Sequence, residues 1–342
     1  MAGSKTFNFQ TSASAELQSC LLDKGTVMHC DPGTVLIEEG RVSDRVILLL
    51  DGEVTITTTD HRGNQQRLAV LHDGAMVGEM SWLEKRPAVA DVVSATPCKV
   101  LELDVAVLDE LSQSEPAIAA EWQRLVAKKL AAQIQSQNAW IHRYEGPGEE
   151  IEPLRKVLVL FAELDEQDVA TLARIGSLRR IQPGGILLQQ GQDVPSIFLI
   201  LAGEAEIFVE IDGLNKRVGS SRRGELLGEL TLLNSEAQGA TATVQSAGGM
   251  ELLELNKTVL NRALQDDPSL AEHFFRSLSC MLSQRSRDQL LARQLASRSR
   301  GAERESDEGD ELDLMQLGGI NRAGQRFNSL CQKFQSGEGL QP

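Results

Sequence analysis

The sequence predicts a chain that is mainly β with flanking helices, an α+β class, built as two similar modules in tandem. Three observations carry this. Short, β-branched runs punctuated by Gly, Pro, Asn and Asp turns fill residues 26–103 and recur after 177. Each strand-rich block is followed by a long stretch with one apolar stripe at helical spacing. The landmarks of the first block return in the second at nearly constant distance. Pro32-Gly33 recurs at Pro183-Gly184, Gly40 at Gly191, Gly52-Glu53 at Gly203-Glu204, Gly78-Glu79 at Gly228-Glu229, and Glu115-Pro116 at Asp267-Pro268; the differences between these positions are 151, 151, 151, 150 and 152. Equal spacing over so long a span means two copies of one fold.

In chain order, residues 1–24 are polar and Ser/Thr-rich, with a short helix over Ala15 to Leu22. Strands then follow as Thr26-Val-Met-His, Thr34-Val-Leu-Ile, Arg45 to Leu50, Glu53 to Thr59, Gln66 to Leu71, Ala90 to Ala95 and Lys99 to Leu103, with Asp60 to Asn64 as a hairpin loop. Short strands at this spacing form a sandwich or small barrel. Asp104 to Ser114 and Ile118 to Arg143 read as helices. Glu145-Gly-Pro-Gly-Glu-Glu150 breaks the second of them, inside a linker of residues 145–154. The first module therefore spans residues 25–144 and the second 155–299. The second has a helical lead-in over Leu160 to Leu172 and an exit helix from Ser269 to Ser299. Residues 300–342 read as an acidic, disordered tail with a short apolar motif of Leu314, Met315, Leu317, Ile320, Phe327, Leu330 and Phe334, the alternative being a peptide that docks on a partner or back onto the β-rolls.

Bulk properties narrow the function. Lys and Arg number 34 against 49 Asp and Glu, a formal net charge of -15, which argues against a broad phosphate-backbone interface and hence against nucleic acid as a partner. No apolar run approaches the roughly 18 residues that span a bilayer, and no apolar segment opens the chain, so a cytoplasmic protein with no membrane span is expected. Five scattered cysteines without a C-x-x-C pair suit a reducing compartment. The five histidines show no metal spacing, and there is no triad, metal set or nucleoside triphosphate loop, so the chain reads as a non-enzyme without a cofactor.

The stretch that carries chemistry is Val77-Gly-Glu-Met-Ser-Trp-Leu-Glu-Lys-Arg-Pro87, repeated in altered form as Leu227-Gly-Glu-Leu-Thr-Leu-Leu-Asn-Ser-Glu236. A glycine lets the backbone approach a ligand, and the glutamate after it can accept hydrogen bonds from a sugar hydroxyl. The freed amides at the start of a helical turn favour an anionic oxygen. The candidate ligand-binding residues are Gly78, Glu79, Met80, Ser81, Arg86, Ala88 and Val89 in the first copy and Gly228, Glu229, Leu230 and Thr231 in the second. Either glutamate could instead be a helix-start carboxylate that needs no ligand. Trp82 and Leu232 are expected in the barrel core, and Trp122 and Trp140 on helix faces.

With these residues in hand, the chain resembles a tandem pair of cyclic nucleotide-binding domains, the β-roll modules of bacterial catabolite-activator regulators and of regulatory subunits of cAMP-dependent protein kinase. The resemblance covers about residues 25–144 and 155–295. It implies two double-stranded β-helix or jelly-roll-like β-rolls and a cAMP or cGMP ligand. Its cassette runs Phe-Gly-Glu-Leu-Ala-Leu-Leu, then Pro-Arg-Ala-Ala-Thr-Val. The glutamate takes the ribose 2′-hydroxyl and the arginine pairs with the phosphate. Glu79 and Glu229 match that glutamate. The arginine does not carry over: Ala88 follows Pro87, and the second copy has neither Pro nor Arg there. A charge-assisted arginine contact is worth about 1.5 to 3 kcal/mol, so its loss weakens binding about ten- to a few hundred-fold unless another cation fills the place. Lys85, Arg86, Arg222 and Arg223 are candidates, the last two facing solvent.

Two functions follow. One is a regulatory protein that senses a cyclic nucleotide or a related small phosphate ligand through degenerate cassettes and acts on an unknown protein partner. The other is a docking module whose β-rolls have lost the ligand. The apolar stripe of either long helix is compatible with a homodimer. A helix-turn-helix transcription factor fits poorly, because residues after Arg300 show no two-helix pattern.

Overall fold

The computed structural model describes residues 7–59, 65–144, 159–211, 213–233, 239–299 and 314–335. The expected hairpin loop 60–64, the linker 145–154, the acidic block 301–313 and the Trp140 side chain lie outside the described residues. The chain divides into two compact units, residues 1–137 with 282–309, and residues 138–281 with 310–342.

The first unit opens with α1 (Phe9–Ser12) and α2 (Ala15–Lys24). Asn8 and Ser14 cap these helices, accepting from the amides of Thr11 and Leu17. Eight strands follow: β1 (Thr26–Cys30), β2 (Val35–Ile37), β3 (Arg45–Asp51), β4 (Glu53–Thr59), β5 (Gln65–His72), β6 (Met76–Val77), β7 (Asp91–Ser94) and β8 (Cys98–Asp104), with α3 (Glu79–Glu84) between β6 and β7. They form two antiparallel sheets of four, ordered β1-β8-β3-β6 and β2-β7-β4-β5. Cys30, Ile47, Leu49 and Val100 of one sheet meet Ile37, Val54 and Val92 of the other in a common core. The alternation read in the sequence places these side chains on the inner faces. After β8 come α4 (Val105–Ser114), capped by Asp104, and α5 (Pro116–Tyr144).

The second unit repeats the plan: α6 (Val159–Glu163), α7 (Glu166–Ile175), β9 (Ser177–Ile181), β10 (Ile186–Leu188), β11 (Ser196–Ile211), β12 (Leu214–Arg222), β13 (Leu226–Leu227), α8 (Glu229–Leu233), β14 (Thr243–Asn256) and α9 (Lys257–Asp266). Here strand pairs that are separate in the first copy run on as the long β11 and β14, giving one six-stranded sheet. The pairing of β11 with β14 shifts register between Ile200 and Ala202 and again between Gly203 and Ala205. Such bulges bend a strand, and Gly203, at φ 89°, sits where Gly52, at φ 101°, divides β3 from β4. The long exit helix is α10 (Pro268–Ser299), which gives its residues up to Met281 to the second unit and those from Leu282 to the first. The fold class is the one expected: mainly β, two β-rolls in tandem, each followed by helices.

Two expectations are corrected. Residues 314–335 are not a disordered tail but a helix, α11 (Leu314–Gln335), so the alternative of a motif that docks back on the chain is the one that holds. Ala323, Phe327 and Leu330 repeat at helical spacing and are buried; the Phe327 ring lies 5.0 Å from that of Phe161. Arg326 donates to the carbonyls of Phe161 and Ala162 at 3.1 Å, which satisfies the C-terminal end of α6. Trp82 does not enter the barrel core. It stands on the face of α3 turned to α4 and α5, where its ring packs 6.4 Å from that of Trp122 on α5 and its indole N–H donates to Asp109 of α4 at 3.3 Å.

Candidate functional site

In both copies the candidate site is a short helix hung from a two-residue strand. Gly78 precedes α3 at φ 91° and Gly228 precedes α8 at φ 82°. A Cβ on Gly78 would stand 2.6 Å from the Arg45 carbonyl oxygen, so both the turn and the close approach require glycine. Glu79 and Glu229 are the first residues of their helices and are almost fully buried, with relative exposures of 2% and 4%.

A buried carboxylate must be paired. Glu79 is: Lys129 of α5 donates to its Oε1, and the same ammonium bonds the Gln133 side chain at 2.9 Å. The Gln133 amide in turn donates to the Ser286 hydroxyl at 2.8 Å, within the first unit. The far end of α3 is held in the same way. Glu84, its last residue, accepts from Arg287 Nε at 2.6 Å and from the Ser283 hydroxyl at 2.5 Å. Arg287 Nη1 donates to the Pro87 carbonyl at 2.9 Å. Burial pushes the Glu84 carboxyl upward, and the Arg287 charge opposes that.

The remaining residues fall around this frame. Met80 lies beside Gln133, whose amide nitrogen is 3.8 Å from its sulfur. The Ser81 hydroxyl donates to the Arg86 carbonyl at 2.6 Å and accepts from the Ser43 amide at 2.9 Å, closing the cassette loop on the β2–β3 connection. Ala88 is half-buried against the β-roll core; its amide donates to the Arg41 carbonyl at 2.8 Å and its carbonyl accepts from Gly40 at 2.9 Å. Val89 is half-buried beside it. In the second copy Leu230 is buried, and the Thr231 hydroxyl donates to the Gly228 carbonyl and accepts from Lys257, both at 2.7 Å.

Of the four candidate cations, Lys85 is exposed at the C-terminal end of α3, and the three arginines make contacts of their own. Arg86 leans on Glu84 at 4.0 Å with 39% of its side chain exposed. Arg222 pairs with Glu204 at 3.3 Å. Arg223 is exposed, as expected, yet not idle: it lies 4.8 Å over the Phe327 ring and donates to Asn328 at 3.1 Å. The structure thus brings together the Gly-Glu pairs, Ser81 and Thr231 with their short helices, and leaves the arginine place at Ala88 apolar. Sequence reading missed Lys129, Gln133, Arg287 and Lys257. Only Lys257 carried a signal, since Val105 opens the corresponding helix of the first copy.

Comparison with known proteins agrees with this geometry. The cyclic nucleotide-binding domain family matches residues 27–115 and 178–267. The cGMP-dependent protein kinase egl-4 of Caenorhabditis briggsae is 23% identical over 261 residues, covering 76% of this chain and 30% of that protein. The cAMP-dependent protein kinase regulatory subunit of Mycosarcoma maydis is 24% identical over 228 residues, covering 64% and 38%. The chain therefore spans about a third of the length of these two relatives. Among solved structures, the regulatory subunit of a cAMP-independent protein kinase A from Trypanosoma brucei is 20% identical, with 77% of this chain and 85% of that one covered and a TM-score of 0.28. The chain belongs to the cyclic nucleotide-binding domain family and carries two copies of the domain in tandem.

Proposed function

We propose that this chain is a non-enzymatic, cytosolic regulatory protein that senses cAMP, cGMP or a related small phosphate ligand through its degenerate cassettes. The observation that supports this best is the paired Gly-Glu: in both copies a glycine at positive φ presents a buried glutamate at the first residue of a short helix. Both copies keep the same turn glycine and the same glutamate at the helix start, the two residues that the family uses to approach and hold the ligand sugar. The ligand class comes from the family and from the cAMP and cGMP in the relatives' names. Ligand at a cassette would act through the helices tied to it, as Lys129 ties α5 to Glu79, and those helices would present the change to a protein partner.

A second reading, a docking module without a ligand, is favoured by one observation: in the first copy Lys129 already neutralises Glu79, and Ala88 offers no charge to a phosphate. Thermal unfolding of the full chain with increasing cAMP or cGMP separates the two. A ligand that binds the folded state raises the midpoint by an amount growing with ln(1 + [L]/Kd). The sensor reading expects such a rise with at least one cyclic nucleotide and none with inorganic phosphate. No shift up to about millimolar nucleotide, where a Kd of 1 mM is only about 4 kcal/mol of binding, leaves the docking module.

A further inference from the structure

The two modules hold the turn ahead of their cassettes in different ways. In the first, the lead-in helix holds it directly: the Asn8 side chain donates to the Asp73 carbonyl at 3.0 Å and the Phe9 amide to the Gly74 carbonyl at 2.7 Å. The Gln18 side chain of α2 closes the end of α1, donating to the carbonyls of Gln10 and Ala13 at 2.9 and 3.0 Å. At the 151-residue offset Asn8 becomes Val159 and Gln18 becomes Val169. Neither valine side chain can donate a hydrogen bond.

Helix α11 supplies both ties in the second module. At the end of α6, Arg326 takes the carbonyls of Phe161 and Ala162 that no Gln18 is there to take. At the turn, Arg223 stands where Asp73 does at the 150-residue offset of the cassettes; its guanidinium lies over the Phe327 ring and donates to Asn328 at 3.1 Å. Phe161, buried against Phe327, replaces the exposed Gln10. All of these replacements suit a module that a docked helix completes. The turn that α11 holds runs through β13 directly into Gly228 and Glu229. Gly318, Gly319 and Gly324 lie within α11, and glycine is a poor helix former, so the helix depends on its docking for order.

We propose that α11 is a latch on the second cassette: docked, it joins α6 to the turn before the cassette and holds that cassette in the form that takes the nucleotide, and bound nucleotide in turn holds α11 in place. This rests on the sensor reading above. A turn that is already ordered spares the ligand the cost of ordering it. Linkage makes the effect reciprocal, so the factor by which docking raises affinity equals the factor by which nucleotide favours docking.

The test uses the full chain with cAMP and cGMP, read by amide hydrogen exchange over 323–334 and by titration calorimetry. Saturating nucleotide is expected to slow that exchange by about 5- to 150-fold. Phe327→Ala, which releases the helix, is expected to weaken binding by the same factor. Arg326→Met and Arg223→Met each remove one tie while keeping the aliphatic stem, and are expected to weaken binding in the same direction. Ser329→Ala, on the exposed side of α11, is expected to leave both readouts unchanged. Nucleotide binding that leaves exchange over 323–334 unchanged, or an affinity undiminished in all three latch variants, overturns the latch and leaves the sensor reading standing. Absence of binding by either nucleotide overturns both.

Discussion

Arg287 Nε lies 2.6 Å from Glu84 Oε2, with 5% and 2% of the two side chains exposed, so the end of the first cassette helix is closed by a buried ion pair formed across 203 residues of sequence. Attraction in such a pair is offset by the loss of hydration, so its net worth is small, but removing one partner strands the other. Arg287→Met is expected to destabilise the first unit by about 3 to 5 kcal/mol, read from urea unfolding. Pairing it with Glu84→Leu is expected to recover most of that loss. A single substitution costing less than about 1 kcal/mol would place the pair in water rather than in the protein.

The docking of α11 makes a second prediction. Phe327 is buried between the Phe161 ring and the Arg223 guanidinium. Large-to-small changes at such sites cost about 3 to 5 kcal/mol. Phe327→Ala is expected to release the helix locally: amide exchange over 323–334 accelerates while β11 and β14 keep their protection. Unchanged exchange over 323–334 would show that Arg326 and the remaining apolar contacts suffice to hold it.

A third prediction concerns pH. His273 Nδ1 lies 2.7 Å from Asp168 Oδ2, and that hydrogen bond raises the imidazole pKa above its ordinary 6.5, with partial burial working the other way. Because the folded-state pKa is the higher one, the unfolded chain binds fewer protons, and stability falls as pH rises through the interval between the two values. The contribution is therefore full below about pH 6 and gone once pH passes the raised value. Wild type is expected to lose stability relative to His273→Gln between pH 5.5 and 8, measured by unfolding at each pH. A constant difference across that range would contradict the pairing.

Much of this was legible in the sequence, and the reason is local chemistry. Gly52, Gly78, Gly203 and Gly228 all sit at positive φ, where no other residue is comfortable, so the repeat of these glycines recorded the repeat of the turns. The inner faces of the strands were readable from alternation for the same reason. What stayed hidden was partnership at long range. Lys129 is one of two adjacent lysines on an amphipathic helix, and nothing within a few residues of it announces Glu79, 50 positions earlier. Arg287 is likewise an unremarked cation in an Arg- and Ser-rich helix until Glu84 needs an ion partner in the interior. Residues 314–335 misled for a compositional reason: two adjacent glycines and an acidic stretch upstream obscured an apolar stripe whose burial only tertiary contact with Phe161 supplies.

The measurement closest to the central claim is titration calorimetry of the full chain with cGMP and cAMP, alongside Glu229→Ala and Glu79→Ala. Saturable heat at micromolar to sub-millimolar nucleotide, lost in one of the two variants, is the expected result and makes the chain a cyclic nucleotide sensor. Absence of heat from both nucleotides up to millimolar concentration would contradict it and leave two β-rolls that serve as docking modules.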